Sequence, residues 1–232
     1  MFALQALFLY LYNEKVTDMK KILIIAPHAD DEVLGCGGYM LSQSKEGAEI
    51  KIIFCAIGGD DAKQDRSIRV EELKSVCKEV NASYEIMSFG TDALLDKVAC
   101  KDIISYIDKQ IESFRPDEVF VNYPSRHQDH IKVYEATMAA LRLKEGYMPP
   151  FVALYEYPFI LNHYDKVDGG RWYHDITATI GDKVDLFYKY KSQVKKLPSP
   201  LNKDGIETLA KTRGLESGLG YAEMFYIQKI VR

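Results

Sequence analysis

Two short segments of the sequence contain most of the side chains that could bind a metal ion and transfer a proton. They are Pro27-His28-Ala29-Asp30-Asp31-Glu32 and His127-Gln128-Asp129-His130, and they hold three of the five histidines. The set His28, Asp31 and His130 supplies two imidazoles and one carboxylate. Such a set suits zinc and similar divalent ions and leaves one coordination position open for water. The sequence therefore predicts a catalytic metal site, provided that the fold brings the two segments together.

Other residues in the same segments could move protons at this site. Asp30 is adjacent to a predicted ligand but free to point at a bound water molecule, so it is the candidate general base. His127, three residues before His130, could donate a proton or a hydrogen bond to a developing oxyanion. Asp129 could fix the tautomer of His127 and raise its pKa, which would keep that imidazole protonated near neutrality.

Each segment directly follows a predicted strand. Lys21–Ala26 is predicted to be a fully buried strand before the first segment, and residues 117–123 form the predicted strand before the second. From Lys20 onward, short β-branched apolar runs alternate with stretches of helical periodicity. This alternation predicts an α/β, Rossmann-like fold in which helices flank a mostly parallel sheet in a single domain. Ligands bind such sheets at the carboxyl ends of the strands, so we expect the two segments to converge on one crevice.

The other predicted elements continue the alternation along the chain. Helices are predicted at residues 33–45, 68–80, 103–114, 131–143 and 183–195, and strands at 49–56, 83–89, 152–157 and 224–230. The stretches 198–205 and 214–220 are predicted to be loops that form rims or lids. The glycines of Gly35-Cys36-Gly37-Gly38 are expected to let the first helix approach the sheet closely.

The composition limits the class of protein and its partners. With 232 residues, 47% hydrophobic and 28% charged, the chain has the composition of an ordinary globular protein that can bury a sizeable core. A net charge of −4 argues against a general nucleic-acid binder, because such binding depends on a concentrated cationic surface. The four cysteines include no Cys-x-x-Cys pair and are interpreted as reduced, mostly buried thiols in a cytoplasmic protein.

Residues 1–18 precede the first clear strand and are interpreted as an N-terminal extension. Their apolar run is too short to span a bilayer as a helix. It also lacks the basic n-region and the small-residue cleavage site of a secretory signal. The extension is either an added helix that packs on the body or a consequence of start-site choice. Residues 19–232 are predicted to form the functional domain.

The two segments resemble those of a known enzyme family. The run PHADDEVLGCGG is similar to the signature of the LmbE-like or PIG-L deacetylases, and RHQDH is similar to their second metal segment. The resemblance extends from about Lys20 to the end of the chain. Weaker matches occur at Arg69-Val70-Glu71-Glu72-Leu73, Asp92, Lys183, Ser192-Gln193 and Ala222-Glu223-Met224-Phe225. The chain departs from the family at Ala29, where many members have proline, and this change removes no ligand.

The resemblance implies a zinc-dependent deacetylase with a Rossmann-like fold. Such enzymes hydrolyse the acetamide of N-acetylglucosamine-type conjugates. Carried over by position, the match implies zinc on His28, Asp31 and His130, with ferrous iron as an alternative in the cell. The expected partner is a small-molecule N-acetylated sugar conjugate, with neither nucleic acid nor a transmembrane segment, and a homo-oligomer is left open.

The resemblance also implies roles for the remaining site residues. It implies Asp30 as the base and His127, paired with Asp129, as the electrophilic helper. It further implies that Arg69 and Asp92 contact the sugar. The implied reaction is attack of zinc-bound water on the acetamide carbonyl, with no covalent enzyme intermediate and with the oxyanion shared between zinc and His127.

Three other functions use some of the same sequence features. The Gly35-Cys36-Gly37-Gly38 run could cradle a phosphate, but it lacks the spacing of the dinucleotide fingerprint and a Walker lysine. Iron(II) oxygenases also use two histidines and one carboxylate, but on a His-x-Asp spacing that His28 and Asp31 do not have. A non-catalytic module that binds metal and sugar remains an alternative, and it predicts sugar binding without acetate release.

Overall fold

Seven strands form one sheet in the computed structural model, which describes residues 19–58, 66–88, 90–156, 158 and 169–231. The strands are β1 Lys21–Ala26, β2 Glu49–Phe54, β3 Ala82–Ile86, β4 Glu118–Asn122, β5 Phe151–Tyr155, β6 Gly170–Asp175 and β7 Ala222–Ile230. Their order across the sheet is β3-β2-β1-β4-β5-β7-β6. Strands β1 to β5 pair in parallel, whereas β7 pairs antiparallel with both β5 and β6.

Helices cover both faces of this sheet. They are α1 Asp31–Lys45, α2 Arg66–Glu79, α3 Cys100–Phe114, α4 Gln128–Ala140, α5 Ile180–Phe187 and α6 Lys203–Ser217. Alternate residues of β1 point to opposite faces: Ile22 and Ile24 pack in the core that includes α1 and α5, and Leu23 packs in the core that includes α3 and α4. Burial on both faces explains the uninterrupted apolar run of β1. The predicted α/β fold with a mostly parallel sheet is confirmed.

The strand order reverses between β1 and β4. From β1 the chain adds β2 and β3 on one side, and it then returns to place β4 on the other side of β1. Ligands bind open α/β sheets at such a switch point, outside the carboxyl ends of the strands. Because α1 begins at Asp31 and α4 begins at Gln128, the two segments singled out in the sequence lie at this point.

The glycine run Gly35-Cys36-Gly37-Gly38 lies inside α1, where it permits close packing. A Cβ atom at Gly35 would lie 2.1 Å from Cδ2 of Tyr155, and one at Gly38 would lie 2.4 Å from Cγ2 of Ile176. The interpretation of these glycines as sites of close approach is therefore confirmed. A run inside a helix does not form the phosphate-cradling loop that was considered as an alternative.

Two elements near the carboxyl-terminal end differ from the prediction. The helix predicted at residues 183–195 corresponds to α5, which begins at Ile180 and ends at Phe187. Beyond it, Tyr190 and Ser192 bond to Glu32 of α1 and Glu72 of α2. The strand β6 was not predicted at all. Its sequence has no buried apolar run, and all six of its residues are exposed or half-buried, as is typical of an edge strand.

The helix α6 replaces parts of both loops predicted at residues 198–205 and 214–220. Its start is capped by Asn202, whose side chain accepts a hydrogen bond from the backbone N–H of Gly205. Its end is capped by Gly218, which has a φ of 76°. Gly205 and Gly214 lie within this helix, although glycine is more typical of loops. Gly214 is required by packing, because a Cβ there would lie 2.6 Å from the carbonyl oxygen of Gly220.

Some predictions concern residues outside the described ranges. They are the N-terminal extension 1–18 and the ends of two predicted strands at residues 89 and 157. Within the described part of the chain, no helix combines the length and apolar character that a membrane span requires.

Candidate active site

The structure brings the two polar segments together at the carboxyl ends of β1 and β4. The ring centroids of His28 and His127 are 4.8 Å apart, and those of His28 and His130 are 5.3 Å apart. His28 comes from the turn after β1, whereas His127 and His130 come from the start of α4. Residues about a hundred positions apart in the sequence thus line one site.

Three side chains at this site have the chemistry and spacing of a zinc ligand set. His28, Asp31 and His130 each offer one ligand atom, and these three atoms lie within 4.8 Å of one another. Oδ2 of Asp31 lies 3.3 Å from Nδ1 of His28 and 3.3 Å from Nε2 of His130. Tetrahedral zinc bonds of about 2.0 to 2.2 Å place neighbouring ligand atoms about 3.3 to 3.6 Å apart. The distances from Asp31 to both histidines therefore fit a divalent ion such as zinc.

The other nitrogen of His28 faces two further carboxylates. Its Nε2 lies 2.9 Å from Oδ2 of Asp129 and 3.1 Å from Oδ1 of Asp92. A metal-binding histidine usually donates its second ring N–H to a carboxylate, which orients the ring. The ligand atoms of His28, Asp92 and His127 also lie within 4.8 Å of one another, so these residues form a second group that could hold a metal ion. In that group, however, Nε2 of His28 already faces the carboxylates of Asp129 and Asp92.

The position of Asp129 corrects its predicted pairing with His127. The Asp129 carboxylate is fully buried, contacts His28, and accepts hydrogen bonds from the backbone N–H groups of Ala93 and Leu95 at 2.7 and 3.0 Å. Its link to His127 uses the main chain instead: the Asp129 N–H donates to Nδ1 of His127 at 3.2 Å. Asp129 therefore orients His28 and the loop at 93–95, and its carboxylate makes no hydrogen bond with the His127 ring.

The predicted raised pKa of His127 is also wrong. Burial lowers the pKa of His127, and the charges of His28 and His130 lower it further, although Asp129 acts in the opposite direction. Because Nδ1 accepts a hydrogen bond, the neutral ring carries its proton on Nε2. His127 is thus a neutral imidazole with an N–H available at Nε2.

The candidate ligand residues lie in a site that favours positive charge. Burial acts to lower the pKa of His28, but hydrogen bonds with three carboxylates raise it well above its ordinary value. Burial acts to raise the pKa of Asp31, but His130 and His28 hold it well below its usual range. The carboxylates that retain a proton on His28 would equally attract a metal cation.

Asp30 has an unusual backbone conformation. Its φ is 148° and its ψ is −26°, a region that residues with a Cβ rarely adopt. Burial raises the pKa of Asp30 to about 7, although the Arg69 guanidinium, 3.7 Å from Oδ1, acts to lower it. A carboxyl group with a pKa near neutrality is suited to accept and return a proton.

Arg69 and Asp92, the predicted sugar contacts, differ in their surroundings. Arg69 is 4% exposed and donates hydrogen bonds to the carbonyl oxygen of Ala29 and, at 3.4 Å, to Oγ of Ser192. Its guanidinium is therefore held by protein groups beside Asp30, and this geometry does not favour a direct sugar contact. The side chain of Asp92 is 21% exposed, so one face of it remains accessible at the site.

Sequence reasoning assigned no role to several buried residues next to the site. Glu32 accepts hydrogen bonds from the Asp30 N–H and from the hydroxyl of Tyr190. Glu72 accepts hydrogen bonds from the backbone N–H and Oγ of Ser192 at 2.8 and 2.6 Å. Glu32 could have been noticed as a charged residue next to a predicted ligand. The contact with Tyr190 spans 158 positions and has no local signal in the sequence.

Comparison with known proteins identifies relatives of this chain. The family model described as PIG-L, GlcNAc-PI de-N-acetylase, matches residues 23–141. An uncharacterized deacetylase of Escherichia coli, YaiS, is 30% identical over 131 residues, which cover 53% of this chain and 69% of that protein. A Saccharopolyspora erythraea protein described as 1D-myo-inositol 2-acetamido-2-deoxy-alpha-D-glucopyranoside deacetylase 1 is 25% identical over 166 residues. That match covers 54% of each protein, so the chain spans about half the length of this relative.

A solved structure extends the likeness to nearly the whole chain. The N,N'-diacetylchitobiose deacetylase from Pyrococcus horikoshii superposes with a TM-score of 0.73 and 22% sequence identity. The superposition covers 91% of this chain and 84% of that protein. At this level of identity the comparison shows a shared fold over most of the chain.

Proposed function

Because this chain belongs to the GlcNAc-PI de-N-acetylase (PIG-L) family, we propose that it is a metal-dependent hydrolase that removes the acetyl group from an N-acetylated sugar conjugate. The observation that carries the proposal is the grouping of His28, Asp31 and His130 beside the buried carboxyl of Asp30. A ligand set next to a proton acceptor is the minimum that metal-assisted hydrolysis of an amide requires.

His28, Asp31 and His130 would hold the metal ion, and zinc is the proposed ion because two imidazoles and one carboxylate suit it. When bound, such an ion acts as a Lewis acid that polarises a carbonyl group and makes a water molecule more acidic. The carboxylates of Asp92 and Asp129 would keep the His28 ring in place through its Nε2.

Asp30 would transfer protons, and His127 would stabilise the negative charge that develops on the substrate. The Asp30 carboxylate accepts the proton of the attacking water and, once protonated, can return it to the departing amine. The neutral His127 donates a hydrogen bond from Nε2 to the oxygen that becomes negative when the acetamide carbonyl is attacked. This role requires no proton on Nδ1, which agrees with the hydrogen bond that Nδ1 accepts.

The substrate class is proposed from the relatives rather than from a pocket. The Saccharopolyspora relative is named for a 2-acetamido sugar linked to inositol, and the Pyrococcus protein is named for diacetylchitobiose. Both names contain an N-acetylated amino sugar with a different attached group. We therefore propose the acetamido sugar as the shared part of the substrate and leave the attached group to the assay.

The test is acetate release from a panel of N-acetylglucosamine conjugates, with and without chelator and added zinc. We expect activity that chelator abolishes and zinc restores. Asp30→Asn should retain zinc but lose most acetate release, whereas His130→Ala should lose both. His174→Ala is the matched control, because His174 lies away from the site and bonds to Ser42. Near-normal turnover by Asp30→Asn would refute the base assignment, and sugar binding without acetate release would favour the non-catalytic module.

A further inference from the structure

The peptide unit that joins Ala29 to Asp30 is held from both sides by buried side chains. Its carbonyl oxygen, on Ala29, accepts a hydrogen bond from Arg69. Its N–H group, on Asp30, donates to Oε2 of Glu32 at 3.0 Å. Both polar atoms of one peptide plane are therefore fixed by side chains, which restricts rotation of that plane.

The two residues that hold this peptide are themselves connected through Tyr190. The Tyr190 hydroxyl donates a hydrogen bond to Oε1 of Glu32, and the Arg69 guanidinium carbon lies 5.4 Å from the centre of the Tyr190 ring. Tyr190 and Glu32 are fully buried and Arg69 is 4% exposed. We refer to Glu32, Arg69 and Tyr190 as the peptide clamp.

The clamp acts at the most strained position near the site. Asp30 has a φ of 148°, and a residue with a side chain keeps such a conformation only when its surroundings enforce it. Rotation of the Ala29–Asp30 peptide would change the direction in which the Asp30 carboxylate points. Arg69 also lies 3.7 Å from Oδ1 of Asp30, so the same residue contacts both the main chain and the carboxylate.

We propose that Glu32, Arg69 and Tyr190 are positioning residues that hold Asp30 in the conformation needed to accept a proton. This inference rests on the proposed function, in which Asp30 is the base. The clamp residues are almost completely buried, so they act through Asp30 and make no direct contact with the sugar. Tyr190 reaches the site from the chain after α5, which makes this segment part of the catalytic apparatus.

The test compares variants that loosen the clamp with one that removes an equivalent bond elsewhere. Tyr190→Phe removes only the hydroxyl, Glu32→Ala removes the acceptor, and Glu32→Gln retains an acceptor oxygen. Tyr39→Phe is the control, because Tyr39 is also buried and its hydroxyl also donates to a glutamate, Glu118. Each variant is measured for kcat, KM, bound zinc and thermal unfolding.

We expect Tyr190→Phe and Glu32→Ala to lower kcat about tenfold to a hundredfold, because small displacements of a reacting group have effects of this size. KM and zinc content should remain at the wild-type values, Glu32→Gln should restore most of the lost kcat, and Tyr39→Phe should not change kcat. Wild-type kcat in Tyr190→Phe and Glu32→Ala would overturn the proposal. The proposal would also be overturned if kcat fell only in proportion to the amount of zinc lost.

Arg69→Lys separates positioning from sugar binding. A positioning role predicts a lower kcat at constant KM, whereas a raised KM at constant kcat would indicate a direct sugar contact and would overturn this part of the proposal. Hydrogen exchange of peptides covering residues 27–34 gives a readout that does not depend on activity. If wild-type protein releases no acetate, the proposed function fails. The clamp then stands only if this exchange is faster in Tyr190→Phe and Glu32→Ala than in wild type and Tyr39→Phe.

Discussion

His28 has a different kind of partner at each ring nitrogen. Nδ1 faces Asp31, which belongs to the proposed ligand set, while Nε2 faces Asp129 and Asp92. The imidazole cannot rotate without losing contacts on both sides. A preorganised ligand binds its ion more tightly because less ordering is required when the ion arrives. At the level of single residues, therefore, the affinity for metal should depend on carboxylates that do not touch the ion.

Replacing Asp129 tests this dependence. Asp129→Asn leaves one carbonyl oxygen to serve His28 and the two backbone N–H groups that now bond to the carboxylate. We expect zinc affinity to fall about tenfold to a hundredfold. Competition with a chelator of known affinity measures the change. Asp117→Asn is a suitable control, because Asp117 also accepts a backbone hydrogen bond, from Lys21, at the opposite end of β1. Equal zinc affinities of Asp129→Asn and wild type would contradict the prediction.

Asp30 should make the metal-free protein less stable as pH rises. Burial raises its pKa from 3.8 to about 7, so the folded chain binds this proton more tightly than the unfolded chain does. The resulting contribution to the free energy of unfolding is complete below about pH 4 and is lost as pH rises through about 7. Glu32, whose pKa burial raises to about 8, changes stability in the same direction.

Asp30→Asn removes the titration of Asp30 and should therefore gain stability relative to wild type at higher pH. We expect the metal-free variant to gain about 3 kcal/mol on wild type between pH 5 and pH 8.5, a figure that follows from the two pKa units between pH 5 and the raised pKa of Asp30. Urea unfolding at both pH values measures it. Asp182→Asn, at a side chain that is 55% exposed, should show no such pH dependence. A difference between Asp30→Asn and wild type that does not vary with pH would contradict the expectation.

At the level of elements, α1 is joined to the carboxyl-terminal part of the chain by a buried ion pair. Glu223 accepts a hydrogen bond from the Gly38 N–H at 2.8 Å, and Lys183 donates to the carbonyl oxygen of Leu34 at 2.8 Å. Lys183 and Glu223 also bond to each other at 2.7 Å. The pair thus connects the main chain of α1 to α5 and β7.

Breaking this pair should be costly. Lys183→Met would leave Glu223 buried without its cation, and losses of this kind cost about 3 to 5 kcal/mol. The double variant Lys183→Met/Glu223→Gln should recover part of the loss because no buried charge remains unpaired. Lys45→Met, which removes an exposed pair with Asp182, should cost less than about 1 kcal/mol. Urea unfolding measures the free energy of unfolding of all three variants. Equal losses of stability in Lys183→Met and Lys45→Met would contradict a stabilising role of the buried pair.

The sequence predicted an element well when neighbouring residues carried its pattern, and poorly when the element depends on distant residues. Buried strands such as β1 have a continuous apolar run, and the residues at their ends followed from the rule for parallel sheets. The edge strand β6 and the helix α6 have weak patterns, because their stability comes from partners distant in the sequence. The same holds at the site. The residue types of the two segments were recognised, but the contact of Asp129 with His28 depends on the angle at which α4 enters the site, and no local pattern specifies that angle.

For the whole molecule, the matched family region contains only part of the sheet. Residues 23–141 end before β5, which pairs with β4 along five residues. Without residues 142–232, the buried β4 would become an exposed edge strand. The hydroxyl of Tyr155, which donates to the Ile25 oxygen at 3.1 Å, would also be lost. We therefore propose that residues 19–232 fold as one unit.

Two shortened chains test this proposal. The chain 19–232 should unfold in a single cooperative transition and bind one zinc ion, because the described contacts that support the site lie within it. The chain 19–141 should fail to fold, since it keeps His28, Asp31 and His130 but loses the covering strand β5 and the clamp residue Tyr190. Circular dichroism during thermal unfolding and zinc titration distinguish the two cases. Cooperative unfolding and zinc binding by the chain 19–141 would mean that the ligand set is organised by the parallel strands β1 to β4 alone. The carboxyl-terminal part of the chain would then serve the site through Asp30, because Tyr190 of the peptide clamp lies among the residues that the shorter chain lacks.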